Sequence, residues 1–252
     1  MSTPFATSLP GAVAANPHPA PTKAPRFDPY IFIHKALRQF MGHTLSRLGS
    51  MDVGDAEERA LVLDGVDALL QFMRGHLQHE NDFVHTAIEA RHPGGARHSA
   101  DDHLLHVDAI GNLEDESRAV RDARDEHRPA LALRLYRHLA EFVGENLVHM
   151  QVEETQNNAA LWALYSDAEL IEIHDRLLAT IGPAEMALTA RWMAASMSVP
   201  ELALLFGEMQ HKAPPPAFAA LLDVARTQLD DRRWAQLARA LGRPPVPGLV
   251  TV

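Results

Sequence analysis

Cysteine is absent from this chain, which at once removes disulfides, thiolate metal sites, iron–sulfur clusters and a cysteine nucleophile. Any metal must be held by nitrogen and oxygen. Also missing is a run of roughly 20 apolar residues such as a membrane span needs. The opening segment has no basic stretch leading into an apolar one, as a secretory leader would. The expectation is a cytoplasmic protein with no membrane partner. Basic residues are in deficit, 23 Lys+Arg against 33 Asp+Glu for a formal net charge of -10, so the basic footprint of a nucleic-acid binder is lacking. No segment alternates apolar and polar residues with the period of a strand.

What is present is a chain of 252 residues, 46% hydrophobic, long enough to bury a sizeable core. Residues 1–26 carry Pro4, Pro10, Pro17, Pro19, Pro21 and Pro25 among Ala, Ser and Thr, a composition expected to form a flexible arm. From Pro29 onward the spacing is helical throughout, with breaks at Gly and Pro, and the fold class expected is all-α. Four long helices are predicted over about 29–48, from the acidic 52–58 stretch to about 90, over 101–126, and from Pro129 past His149; His92-Pro93-Gly94-Gly95 ends the second. Ser166-Asp167-Ala168-Glu169 and Ser198-Val199-Pro200-Glu201 look like capping boxes opening further helices. The expected division is the arm 1–26, a four-helix metal-binding unit 27–165, a helical extension 166–243 without chemistry of its own, and a Pro-rich tail 244–252.

Histidine is in excess at 15 residues, and its placement shows why. His76-Leu77-Gln78-His79-Glu80 and His149-Met150-Gln151-Val152-Glu153 are both H-x-x-x-E. Residues four apart on a helix lie about 40° apart and one turn along, so an imidazole and a carboxylate can reach one metal from one helix. Leu69, Phe72, Met73, Phe83 and Ala87 share the face of His76 and Glu80, which points that face at the core. The first helix offers His34, with Leu37, Phe40 and Met41 continuing its face. The third offers His103 or His106: His103 copies the apolar spacing that follows His34, while His106 lies nearer the centre of the face that holds Ile110 and Leu113. The order His, H-x-x-x-E, His, H-x-x-x-E divides into two similar halves, each with two imidazoles and a carboxylate. Two cations a few ångströms apart repel, and a shared carboxylate lowers that cost, so Glu80 and Glu153 are suited to bridging. The His-rich set suits iron with open positions, and zinc, nickel or manganese would fit the same ligands. His79 and His85 lie off the central direction of the site or one turn beyond it. His174 reads as a core or surface residue.

These residues resemble the hemerythrin-like, or HHE cation-binding, domain over about 29–162. The motifs that carry the resemblance are His34, His76 to Glu80, Asp102-His103-Leu104-Leu105-His106, and His149 to Glu153. The stretch from Leu161 to Trp192, with Trp234 to Ala238, is similar to a C-terminal extension of some bacterial members. The resemblance implies a hemerythrin-like four-helix bundle holding two non-haem iron ions bridged by carboxylates. Its members bind dioxygen, respond to oxygen or iron, or help repair iron centres damaged by nitric oxide. Oxygen-carrying hemerythrins present five histidines and an H-x-x-x-H element where this chain has H-x-x-x-E, so the expectation shifts from reversible oxygen carriage toward a reactive or sensing site for O2, NO or peroxide. An enzyme consuming peroxide or nitric oxide, and an iron-binding scaffold whose C-terminal helices engage a partner, are the alternatives.

Overall fold

A computed structural model describes residues 26–244, so the predicted arm and tail lie outside the described residues except for Arg26 and Pro244. Helix α1 (Ile31–Ser50) follows an Asp28 side chain that accepts from the backbone N–H groups of Tyr30 and Ile31, satisfying donors that an entering helix leaves free. Helix α2 (Ala56–His79) is capped by Asp55, whose side chain accepts from Glu57 and Glu58. It then runs without a break into a π-type segment (Glu80–His85) and α3 (Thr86–Arg91). Gly94, at φ +81, supplies the left-handed residue of the following turn. Glu89 accepts from the backbone N–H groups of Gly94 and Ala96 across it. Helix α4 (Arg97–Asp122) and α5 (Arg128–Val152) come next, and α5 passes through a second π-type segment (Glu153–Asn157) into α6 (Asn158–Leu164).

The described residues contain helices and no strand, as the periodicity required. The four long helices close into a ring: α1 and α4 each pack against both α2 and α5. Inside the ring lie Leu37, Phe40, Met41, Leu63, Leu69, Met73, Ile110, Leu113, Leu135 and Phe142, all buried. Each such side chain contributes about 1.5–3 kcal/mol by leaving water.

Two interruptions were not visible in the periodicity. Both π-type segments begin at the glutamate of an H-x-x-x-E motif. A π turn bonds i to i+5 and adds one residue to the turn, so the inward positions beyond it shift by one. Phe83, expected inward, is only half-buried, and Val84 and Ile88 are buried in its place.

The C-terminal helices are α7 (Asp167–Leu178), α8 (Pro183–Ser196), α9 (Val199–Lys212), α10 (Pro215–Gln228) and α11 (Asp231–Ala240). Both predicted capping boxes are present, at Ser166/Glu169 and Ser198/Glu201. The region is more than an appendage. Helix α8 packs along α1, and Trp192 stacks on Phe40 with ring centroids 4.1 Å apart inside the main core. Lys35 of α1 pairs with Glu201 of α9. Nor is Arg26 part of a free arm: its guanidinium donates to Asp167 at 2.5 Å and to the carbonyls of Trp162 and Tyr165 at 3.1 and 2.7 Å.

Candidate metal centre

Each helix of the ring brings chemistry to one level of the core. α1 brings His34, the last turn of α2 His76, α4 His103 and the last turn of α5 His149, while the two π-type segments begin with Glu80 and Glu153. All six are buried, His34 and Glu153 at 0% exposure. Their ligand atoms form two groups, His34, His76, Glu80 and Glu153, and Glu80, His103, His149 and Glu153, with the atoms of each group within 4.8 Å of one another.

The two carboxylates belong to both groups, and their oxygens divide between them. Glu80 turns Oε1 to Nε2 of His76 and His34, at 3.2 and 3.6 Å, and Oε2 to Nε2 of His103 at 3.5 Å. Glu153 turns Oε2 to His34 at 3.5 Å and Oε1 to His149 and His103 at 3.3 and 3.5 Å. In spite of these approaches, all four carboxylate oxygens and Nε2 of His34 lack a hydrogen-bond partner. A buried ionised group without one costs about 1–3 kcal/mol or more, a cost that a cation at the centre of the cluster would relieve.

The outward ring nitrogens show which cation fits. Nδ1 of His34 donates to Glu154 Oε1 at 3.0 Å, and Arg38 clasps the same carboxylate at 2.6 and 3.1 Å, keeping it ionised and an acceptor. Nδ1 of His149 donates to Asp102 at 3.2 Å, and Nδ1 of His103 meets Asn81 Oδ1 at 2.8 Å. With the proton on Nδ1, a neutral ring aims the lone pair of Nε2 inward, the tautomer that a metal ligand needs. Nε2 of His103 and Nε2 of His149 stand 3.0 Å apart, a hydrogen-bond distance in the metal-free chain that also lets both nitrogens reach one ion. The donor set therefore fits a metal.

Without metal the same atoms compete for protons. Burial lowers the affinity of His34 for a proton, but its hydrogen bond to Glu154 and the nearby Glu80 carboxylate outweigh this and raise the pKa to about 9. Burial raises Glu80, with Glu153 pushing the same way. Glu153 is held well below the usual carboxylate range: burial opposes this, but the close imidazoles of His103 and His149 prevail. His76 is lowered by burial and by the neighbouring His34.

His106, the alternative on the third helix, is not in either group. It is buried behind His149, with the rings perpendicular and centroids 4.8 Å apart. His103 is the histidine of α4 whose ring converges with the two carboxylates, with His106 one turn further along. His174 lies apart, lining a small apolar cavity of about 20 Å³ with Val84, Leu161 and Ile173. His79 faces Glu185 of α8 at 3.6 Å, and His138 is exposed and paired with Glu116.

Five residues complete the rim of the site: Glu154, Asn81 and Tyr30 are unpredicted, Asp102 is predicted only as part of a motif, and His85 only as lying off the central direction or one turn beyond. Glu154, Asn81 and Asp102 anchor imidazoles, and each is the chain neighbour of a candidate ligand. Tyr30 packs its ring on His34 at 5.0 Å, and its hydroxyl accepts from Asn157, which also bonds Ser99. The fifth, His85, is buried against His103. A π turn aligns residues five apart, which moves His85 from beyond the site to beside it. A four-residue period cannot reveal that.

Fold and site together define an all-helical chain whose buried His/Glu groups can hold metal. No family model matches the chain, and no curated protein matches it.

Proposed function

We propose that this chain is a hemerythrin-like protein holding two iron ions, and that it binds or responds to O2, NO or peroxide. The observation that carries the reading is the division of each buried carboxylate, one oxygen to the His34/His76 side and the other to the His103/His149 side. A bridge between two cations needs that disposition, whereas a single ion pair does not. Bound there, a pair of ions would supply Lewis acidity and redox electrons.

The chain's own residues determine the rest. Each side offers two imidazole nitrogens and two carboxylate oxygens, so an ion that prefers six ligands keeps positions for a small exogenous molecule. Asp102 and Glu154 fix the tautomers of His149 and His34 and make those rings better donors. Burial keeps bulk water and large substrates away, which favours a diatomic or peroxide-sized partner. No described helix is long and apolar enough to cross a membrane. Together with the acidic balance, this supports a cytoplasmic setting without nucleic acid or membrane partners.

The test is to purify the full chain anaerobically after iron-replete expression, count metals, and record absorption before and after air. Two iron ions per chain and new ligand-to-iron charge-transfer bands are expected. One metal or none, with a stable helical fold, overturns the reading. Turnover of added peroxide or nitric oxide by the loaded protein separates an enzyme from a binder.

A further inference from the structure

Beside the six candidate ligands the described residues place two further buried imidazoles, and both stand on one side of the cluster. His85 stacks on the face of His103, with centroids 4.6 Å apart and 29° between the planes. His106 meets His149 edge-on. Neither nitrogen of His85 has a hydrogen-bond partner, and neither does Nδ1 of His106. On the other side the ring against His34 is that of Tyr30, whose hydroxyl accepts from Asn157, rather than an unpartnered imidazole. The internal repeat sharpens the contrast. The residue five beyond Glu153 is Asn158, whose amide donates to the carbonyl of Glu154, while the residue five beyond Glu80 is His85, which bonds nothing.

His85 is 5% exposed, and its nitrogens fall outside both groups of converging ligand atoms. An uncharged imidazole has one N–H to give and one lone pair. Leaving both unmade inside a protein is unfavourable. A retained donor of this kind, one ring away from the metal ligands, calls for an acceptor that arrives with a ligand.

We infer that the exogenous ligand is held on the His103/His149 side, with His85 donating the hydrogen bond that retains it. Its class is a small molecule with exposed lone pairs, such as a di- or triatomic anion or a partly reduced oxygen or nitrogen species. The inference rests on the metal-binding reading above and deepens it.

Azide is the probe. Iron-loaded full-length wild type, His85→Leu, His85→Gln and His79→Leu are titrated with it, following charge-transfer absorption and calorimetric heat, with iron counted in each. All four are expected to hold the same iron. The Kd for azide should rise about tenfold in His85→Leu, as loss of one hydrogen bond predicts. It should recover in part in His85→Gln, which keeps an amide N–H, and match wild type in His79→Leu, altered where α2 faces Glu185 of α8. Equal azide affinity in wild type and His85→Leu overturns the inference while leaving the metal reading intact. So does wild-type protein that holds iron but takes no azide, and so does a fall of iron content in both His85 variants, which would make His85 a ligand. A wild-type chain without iron removes the metal reading itself.

Discussion

The two glutamates proposed to bridge should behave oppositely in the metal-free chain, although both are expected to be needed to hold metal. In the metal-free chain Glu80 is raised by burial and by Glu153, whereas the close imidazoles of His103 and His149 overcome burial to hold Glu153 low. A carboxylate with a raised folded pKa destabilises the fold at neutral pH, and the loss is relieved as pH falls through that value. One with a depressed pKa contributes stability above the unfolded value and loses it on acidification. Glu80→Gln removes a buried charge that burial and the neighbouring Glu153 both disfavour. It should therefore stabilise the chelator-treated protein by about 1–3 kcal/mol, or roughly 2–4 °C in Tm for each kcal/mol in a chain of this size. Glu153→Gln should lower the same Tm by a comparable amount, because it weakens pairing with His103 and His149. Iron content should fall in both. Scanning calorimetry in chelator at pH 7, beside elemental analysis of the loaded proteins, reads all four outcomes. Apo Tm shifts of the same sign would refute the electrostatic reasoning, and unchanged iron in both variants would refute the bridging role.

Trp192→Ala should cost about 3–5 kcal/mol, because the ring is buried on Phe40 in the main core; a denaturant melt that loses only the C-terminal helices would show that they fold separately. Asp102→Asn and Glu154→Gln, which disturb the acceptors of His149 and His34, should each weaken metal affinity about 10–100-fold with little change in helix content, measured by competition with a chelator. Metal-free and loaded proteins should show crossed pH dependences. His34, raised to about 9, stabilises the metal-free fold fully below its unfolded value of about 6.5 and loses that contribution as pH rises through about 9. The loaded protein instead loses metal as acid protonates its ligands. Melting temperatures across pH 5–10 check this, and parallel curves would show that the imidazoles bind no metal.

The Ser/Glu pairs at Ser166 and Ser198 and the apolar spacing along α1, α2, α4 and α5 are local signals, so helix starts and core faces were legible in the sequence. So were five of the six converging residues, together with a choice between His103 and His106, because H-x-x-x-E places two donors on one face by helical geometry alone. The alternation of His with H-x-x-x-E also carried the two-sided plan of the site.

Only the folded chain could decide three things. It chose His103 over His106, since both lie on the inward arc and the packing of α4 against α2 and α5 determines which crosses the centre. It brought His85 beside His103 through a π turn, a departure from the period on which all sequence reading of helices rests. And it joined α8 to the bundle through Trp192 and Phe40, residues far apart in sequence that no local pattern pairs. Periodicity specifies which face of a helix is buried; what that face meets is set by long-range packing.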